Sequence, residues 1–370
     1  MSGHESVHVT ICVPVYNGED VVAETLASIE RQSYRHLTVL ISDDASDDGS
    51  VAVCRRFTRD SRFQLSCQPT RRGWIENCNW LLANAHGDFV CILPHDDVLD
   101  PGYIEALLEC LVDAPTSALA FSDIQTFGSM ERVLSQESIC GNAFQRVYRF
   151  MTRHYDGTAF RGLIRRQAVD IAAGLRGNRA DNFAADLTWL ARLARTGELR
   201  RVEDVLYHKR VSPESVSMRW GGWDDETKID AWCVHCCELL DVALDLDLTA
   251  AEQWLIVNAA VRRLLMVEPT LPFRFIRDLP TPRKSSMVAC LFDTLGRHIP
   301  APGSDGPRGP VHRVDGAIDE ATALLIVESA AEVVGADRYV DAREAAAREA
   351  RRLLRMPRDL LRYLRGRLIS

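Results

Sequence analysis

The chain has 370 residues, 46% of them hydrophobic and 26% charged, with a formal net charge of −8. That length accommodates one large or two medium domains with a full core, and the composition is that of a soluble globular protein. The acidic balance excludes broad binding to nucleic acid, whose phosphates need a basic face.

The first residues do not read as a signal peptide, and no run of eighteen apolar residues occurs, so the expected location is cytoplasmic or peripheral on the inner face of a membrane. The eleven cysteines are odd in number and scattered through apolar segments, which suits free thiols in a reducing compartment. "CVHCC" (Cys233, His235, Cys236, Cys237) has no second pair at finger-like spacing and reads as buried thiols rather than a zinc site.

In chain order, "VHVTICV" (7–13) predicts a strand, and Asn17-Gly18 breaks it before a helix with Val22, Leu26 and Ile29 on one face. "LTVLIS" (37–42) predicts a second strand ending in Asp43-Asp44. A polar turn then leads to Ser50, which is suited to cap the next helix. "FQLSC" (63–67), a helix over 75–85 and the strand of "DFVCILPHDD" continue the alternation. Asp100-Pro101 supplies an N-cap and a first-turn proline for a helix carrying Ile104, Leu107, Leu108 and Leu111. This alternation predicts a mostly parallel sheet covered by helices.

After 125 the pattern loosens: "TAFRGLIRR" predicts a strand, "ADLTWLARLARTG" an amphipathic helix and "RRVEDVLYHKR" another strand. Beyond 224 it is helical, interrupted by a Pro/Gly-rich loop over 299–310. The expected organisation is a domain over 1–223, in two halves (1–125 and 126–223), then a helical region over 224–370. Its stretch 343–369 holds nine arginines against three acids, with Leu353, Leu360, Leu361, Leu364 and Leu368 along one side. A solvated packing helix or peripheral docking on anionic lipid accounts for that composition.

Ligands of an open parallel sheet bind beyond the carboxyl ends of its strands. Pro14-Val15-Tyr16-Asn17, Asp43-Asp44 and His95-Asp96-Asp97 all fall there. Each cluster alone serves as an ordinary turn or cap; together they gather carboxylates on one edge. Those acids suit a nucleotide diphosphate bound through a divalent ion. One can accept from the N3–H of uracil or thymine, one from ribose hydroxyls, and one can hold Mg2+ or Mn2+. With no Gly-rich phosphate fingerprint and no Walker lysine, neutralising the phosphates falls to the metal.

The run "VTICVPVYNGEDVVAETLASIERQSYRHLTVLISDDASDDGS", then "GDFVCILPHDDVLDP" and "ADLTWLARLARTG", resembles the family-2 glycosyltransferases of the GT-A fold over roughly residues 7–217. The resemblance implies an α/β, Rossmann-like sheet, a nucleotide-sugar donor, inversion at the anomeric carbon and a Mg2+ or Mn2+ cofactor. It places Pro14, Val15 and Tyr16 around the base, Asp44 on the pyrimidine, Arg72 near the base or diphosphate, Asp96 on the ribose and Asp97 on the metal. Asp186, eleven residues before Gly197, matches the family's general base, which takes the proton of an acceptor hydroxyl. By spacing alone, Asp186 reads first as a helix N-cap or first-turn acid stabilised by the helix dipole, and it is the resemblance that makes it the base.

Pro94 stands where many members carry a further Asp, Ala185 where a Glu often precedes the base, and Ser212 where a His is common. His208 is the nearby substitute for that histidine. Val216 replaces the Gln of the processive Gln-x-x-Arg-Trp signature, so a non-processive enzyme is implied. The expected acceptor is a hydroxyl of a glycan or lipid-linked glycan of the bacterial surface, with self-association among the roles open to the C-terminal helices. Two other classes share parts of the pattern: a sugar nucleotidyltransferase, and a non-catalytic sugar-nucleotide-binding scaffold.

Overall fold

The computed structural model describes residues 7–153, 155, 157–213, 215–265 and 273–298. The loop 299–310 and the basic stretch 343–369 lie outside the described residues. The chain divides into two compact units, residues 1–235 and 236–370, later than the expected boundary at 223.

The first unit is built on a nine-stranded sheet. Its parallel half contains β1 (Val9–Val15), β2 (Leu37–Asp43), β3 (Phe63–Cys67) and β4 (Phe89–Ile92), in the spatial order β3-β2-β1-β4. The helices between them are α1 (Val22–Glu30), α2 (Ser50–Phe57) and α3 (Trp74–Asn84). β1 is central and nearly all buried, as its continuous apolar run requires of a strand covered on both faces. Cys12 pairs with Ile92 on one side and Val15 with Asp43 on the other, so the carboxyl ends of β1, β2 and β4 open on one edge.

Two caps differ from expectation. Ser50 is the first residue of α2 rather than its cap, and the Asp48 side chain accepts from the Ser50 amide at 2.9 Å. Helix α4 (Tyr103–Asp113) begins after Gly102, because Asp100 is turned away to His208 and only its carbonyl meets the Tyr103 amide. Ile104, Leu107, Leu108 and Leu111 of α4 are buried as predicted, each side chain contributing about 1.5–3 kcal/mol.

The second half of the sheet adds β5 (Val98–Leu99), β6 (Ser117–Gly128), β7 (Val133–Leu134), β8 (Leu163–Arg165) and β9 (Glu198–Val211). β8 lies between β4 and β6, antiparallel to both, while β6 and β9 run parallel with register shifts near Ser122 and Asp123. Most of "TAFRGLIRR" is therefore not strand. Gly157, at φ +76°, turns the chain into a 3-10 helix over Thr158–Arg161, leaving only three residues to pair. Around this half pack α5 (Ala143–Thr152), α6 (Arg166–Ala172), α7 (Ala185–Thr196) and the short α8 (Val216–Gly221). Trp189, Leu190 and Leu193 of α7 are fully buried.

The division between units falls within α9 (Asp225–Leu244). In the second unit, α10 (Ala250–Leu264) opens with a capping box between Thr249 and Glu252. In α11 (Thr281–His298), Arg297 and His298 both reach Asp241, at 3.0 and 2.9 Å.

Candidate active site

The edge where β1, β2 and β4 end is laced together by backbone and carboxylate groups. The Asn17 amide donates to Ser46 Oγ (3.0 Å), its side chain donates to Asp47 (2.7 Å), and the Glu19 amide donates to Asp48 (3.0 Å). Asp47 and Asp48 are thus spent on holding the β2–α2 loop against the β1–α1 loop. Val15 is buried in the core, and its carbonyl accepts from the Asp44 amide at 2.8 Å. Pro14 presents its carbonyl to His95 Nδ1 at 3.2 Å. Gly18 carries no side chain because a Cβ there would collide with the His95 ring.

Asp44 is buried and accepts from the amides of Arg72 and Gly73, at 2.7 and 2.8 Å. The turn that makes this grip uses Gly73 at φ +85°, a conformation natural to glycine. Arg72 therefore meets Asp44 through its backbone while its side chain is exposed. The neighbouring Arg71 covers the half-buried Tyr16, its guanidinium carbon 3.9 Å from the ring centroid.

The two carboxylates after β4 are in opposite circumstances. Asp97 is 1% exposed, and both of its oxygens are occupied. Oδ2 accepts from Arg161 Nε (3.1 Å) and Tyr207 Oη (2.7 Å), and Oδ1 accepts from the Arg210 amide (2.9 Å). Three donors leave one lone pair of Oδ1 open, so a cation at Asp97 would share the carboxylate with the Arg161 guanidinium, whose charge opposes the expected metal contact there. Asp96 is half-buried, and among the described residues no other residue donates to its carboxylate. Burial first, and Asp97 beside it second, raise its carboxyl above the ordinary range. Such a group gains from an arriving cation. One or two carboxylates plus substrate phosphates and water suffice for Mg2+ or Mn2+. The donor set fits a metal held mainly by its ligand; no group of three His, Cys, Asp or Glu forms among the described residues. His208, the substitute considered for a metal or diphosphate contact, pairs with Asp100 at 3.3 Å.

Asp186 occupies the first turn of α7, where the helix starts abruptly after Ala184 at φ +54°. One carboxylate oxygen accepts from the Leu187 amide at 2.9 Å. Burial raises its carboxyl above the ordinary 3.8, opposed by that amide, by Arg161 and by Lys209. Just ahead of it, Phe183 is ringed by Trp220 and Trp223, with centroids 4.8 and 6.0 Å away.

Arg161, Tyr207 and Arg210 escape a reading by motif. Their partner Asp97 lies 64, 110 and 113 residues away, and no local pattern marks such pairings. An Arg among the apolar residues of "TAFRG" is the one signal in the sequence that points to a partner acid.

Residues 10–170 match the model of glycosyl transferase family 2. Glycosyltransferase GlyA of Streptococcus pneumoniae is 26% identical over 140 residues, which are 38% of this chain and 20% of that protein. An uncharacterised glycosyltransferase of Haemophilus influenzae is 30% identical over 105 residues, 28% of this chain and 42% of that one. The chain thus spans less than half the length of these relatives. S. aureus TarS 1–349, solved in complex with UDP, superposes with a TM-score of 0.56 at 15% identity, covering 93% of this chain and 91% of that chain. That likeness is one of fold, the GT-A fold.

Proposed function

We propose that the protein is an inverting, non-processive glycosyltransferase that moves a sugar from a nucleotide diphosphate, UDP or dTDP favoured, to a hydroxyl of a glycan or lipid-linked acceptor. The observation that carries the reading is the common edge of β1, β2 and β4, from which Tyr16, Asp44 and Asp96-Asp97 emerge on adjacent strands. The half-buried Tyr16 offers a ring face to a nucleobase once Arg71 moves aside or shares it. Asp44, pinned by two amides, keeps lone pairs for the N3–H of a pyrimidine. UDP bound to TarS supports a uridine nucleotide as the first donor to try.

In this reading Asp96 would hold Mg2+ or Mn2+ for the donor's diphosphate. The bound ion supplies charge neutralisation for the departing diphosphate. Asp97 anchors Arg161 and Tyr207 behind it. Asp186 takes the acceptor's O–H proton as the oxygen bonds to C1, while the C1–O bond to the diphosphate breaks and its electron pair leaves with the nucleotide. A carboxyl raised above its ordinary value is a better base than a free aspartate. Phe183, three residues before Asp186 in the chain, packs with Trp220 and Trp223 in an apolar group suited to the C–H face of an acceptor sugar.

The test is a thermal-shift panel of nucleoside diphosphates with and without Mn2+, followed by donor turnover. A specific nucleotide at a hundredfold excess over its Kd stabilises by about 2.7 kcal/mol. Asp186→Asn is expected to keep that shift and lose transfer; substantial residual transfer would remove Asp186 from the role of base. Pyrophosphate release from a nucleoside triphosphate would replace this reading with a nucleotidyltransferase. Binding without any turnover by the wild type would leave a scaffold.

A further inference from the structure

The one-turn helix Thr158–Arg161 touches both ends of the site. At its start, a Cβ built on Gly157 would stand 2.8 Å from Asp186 Oδ2, so the glycine lies directly against that carboxylate. At its end, the Arg161 guanidinium meets Asp97 Oδ2, with Tyr207 closing the same oxygen at 2.7 Å. The Arg161 carbonyl accepts from Tyr103 Oη and from Cys91 Sγ, which ties the turn to α4 and to β4. From Gly162 the chain passes straight into β8, whose Leu163 pairs with Cys91. Five residues thus span the distance between the carboxylate pair after β4 and the acid of α7, fixed at both ends by buried groups.

We propose that this turn is a positioning element coupling the Asp96-Asp97 pair to Asp186, with Arg161 as the positioning residue. The proposal rests on the glycosyltransferase reading only in calling Asp186 the base. Arg161 is a mostly buried cation, paired with Asp97 at 3.1 Å and acting through space on Asp186. Burial works against its charge, but Asp97, Tyr207 and Asp186 outweigh that and keep the guanidinium firmly protonated. The charged groups that act on Asp186 are Arg161 from the turn and Lys209 from β9, with the Leu187 amide from its own helix. The turn therefore sets both where the Asp186 carboxylate sits and how readily it ionises, and it draws its own position from Asp97.

The experiment follows the Asp186 carboxyl by NMR in full-length protein labelled with [4-13C]aspartate, its resonance assigned by the Asp186→Asn variant. No turnover is needed, so failure here is separable from failure of the proposed activity, which the Asp186→Asn transfer assay decides. Removing both charges with Arg161→Met/Asp97→Asn avoids stranding a buried acid. The titration midpoint of Asp186 is then expected to rise, by less than the roughly 1–3 units that losing a lone opposite charge gives, because the charge of Asp97 leaves with that of Arg161. Arg161→Lys, which keeps a cation, should stay within about 0.3 unit of the wild type. Gly157→Ala leaves Arg161 and Asp97 in place, and should raise the midpoint by crowding the carboxylate. A midpoint unchanged in the double variant, or in Gly157→Ala, overturns the coupling.

Discussion

Asp96 and Asp97 are adjacent in the chain and differ in everything that decides a carboxylate's work. Replacing Asp97 by Asn leaves Arg161 buried without its counter-charge, and the expected cost is about 3–5 kcal/mol, read by urea unfolding. Asp96→Asn removes a carboxylate that burial disfavours, so metal-free stability should hold or rise. The Mn2+-dependent part of the nucleotide thermal shift should vanish with it; a shift that persists in Asp96→Asn and is lost in a folded Asp97→Asn would return the metal to Asp97. Asp186 makes a pH-dependent prediction. Its carboxyl is raised in the folded protein, so ionising it costs stability as pH climbs above the unfolded value toward and through the folded one. Asp186→Asn should therefore be more stable than the wild type at neutral pH, with the difference fading as pH falls below the ordinary 3.8. Equal melting temperatures at both ends of that range would mean the carboxylate is not held in a desolvated place.

At the scale of elements, α5 shows how much a local signal can specify. Asn142 accepts from the Gln145 amide at 2.9 Å and the Gln145 side chain returns to the Asn142 amide at 3.0 Å. Asn142→Ala should cost about 1 kcal/mol in denaturant unfolding. The parallel half of the sheet was legible because its strands are unbroken apolar runs and its helices repeat at helical spacing. The carboxylates at its edge were legible too, since each follows the end of such a run. The 3-10 turn was not, because its residue pattern is as apolar as a strand's, and what decides it is a left-handed glycine and the narrow slot between β4 and β6. Nor was the difference in surroundings between Asp96 and Asp97, which depends on donors arriving from far along the chain. Capping by Ser50 and Asp100 failed for a similar reason: better partners, Asp48 and His208, were available in three dimensions.

Across the whole molecule, the eleven cysteines are all free thiols, in keeping with their irregular spacing. Burial raises the thiols of Cys54, Cys78 and Cys91 to about 12, so they remain protonated and unreactive near pH 8. Cys67 alone is exposed, and thiol labelling of the native protein should show one fast phase that Cys67→Ser abolishes. Several fast phases would mean the core opens more readily than its packing implies. No helix among the described residues is long and apolar enough to cross a membrane. The fourteen-residue β9 carries a last consequence. Four consecutive side chains, Tyr207 to Arg210, serve Asp97, Asp100, Asp186 and Glu24 in turn. Alternation sends odd and even members to opposite faces, so one inserted or deleted residue upstream would hand every acid the wrong neighbour. Descendants of this gene can lengthen their loops freely, but along this strand they can change letters and not the count.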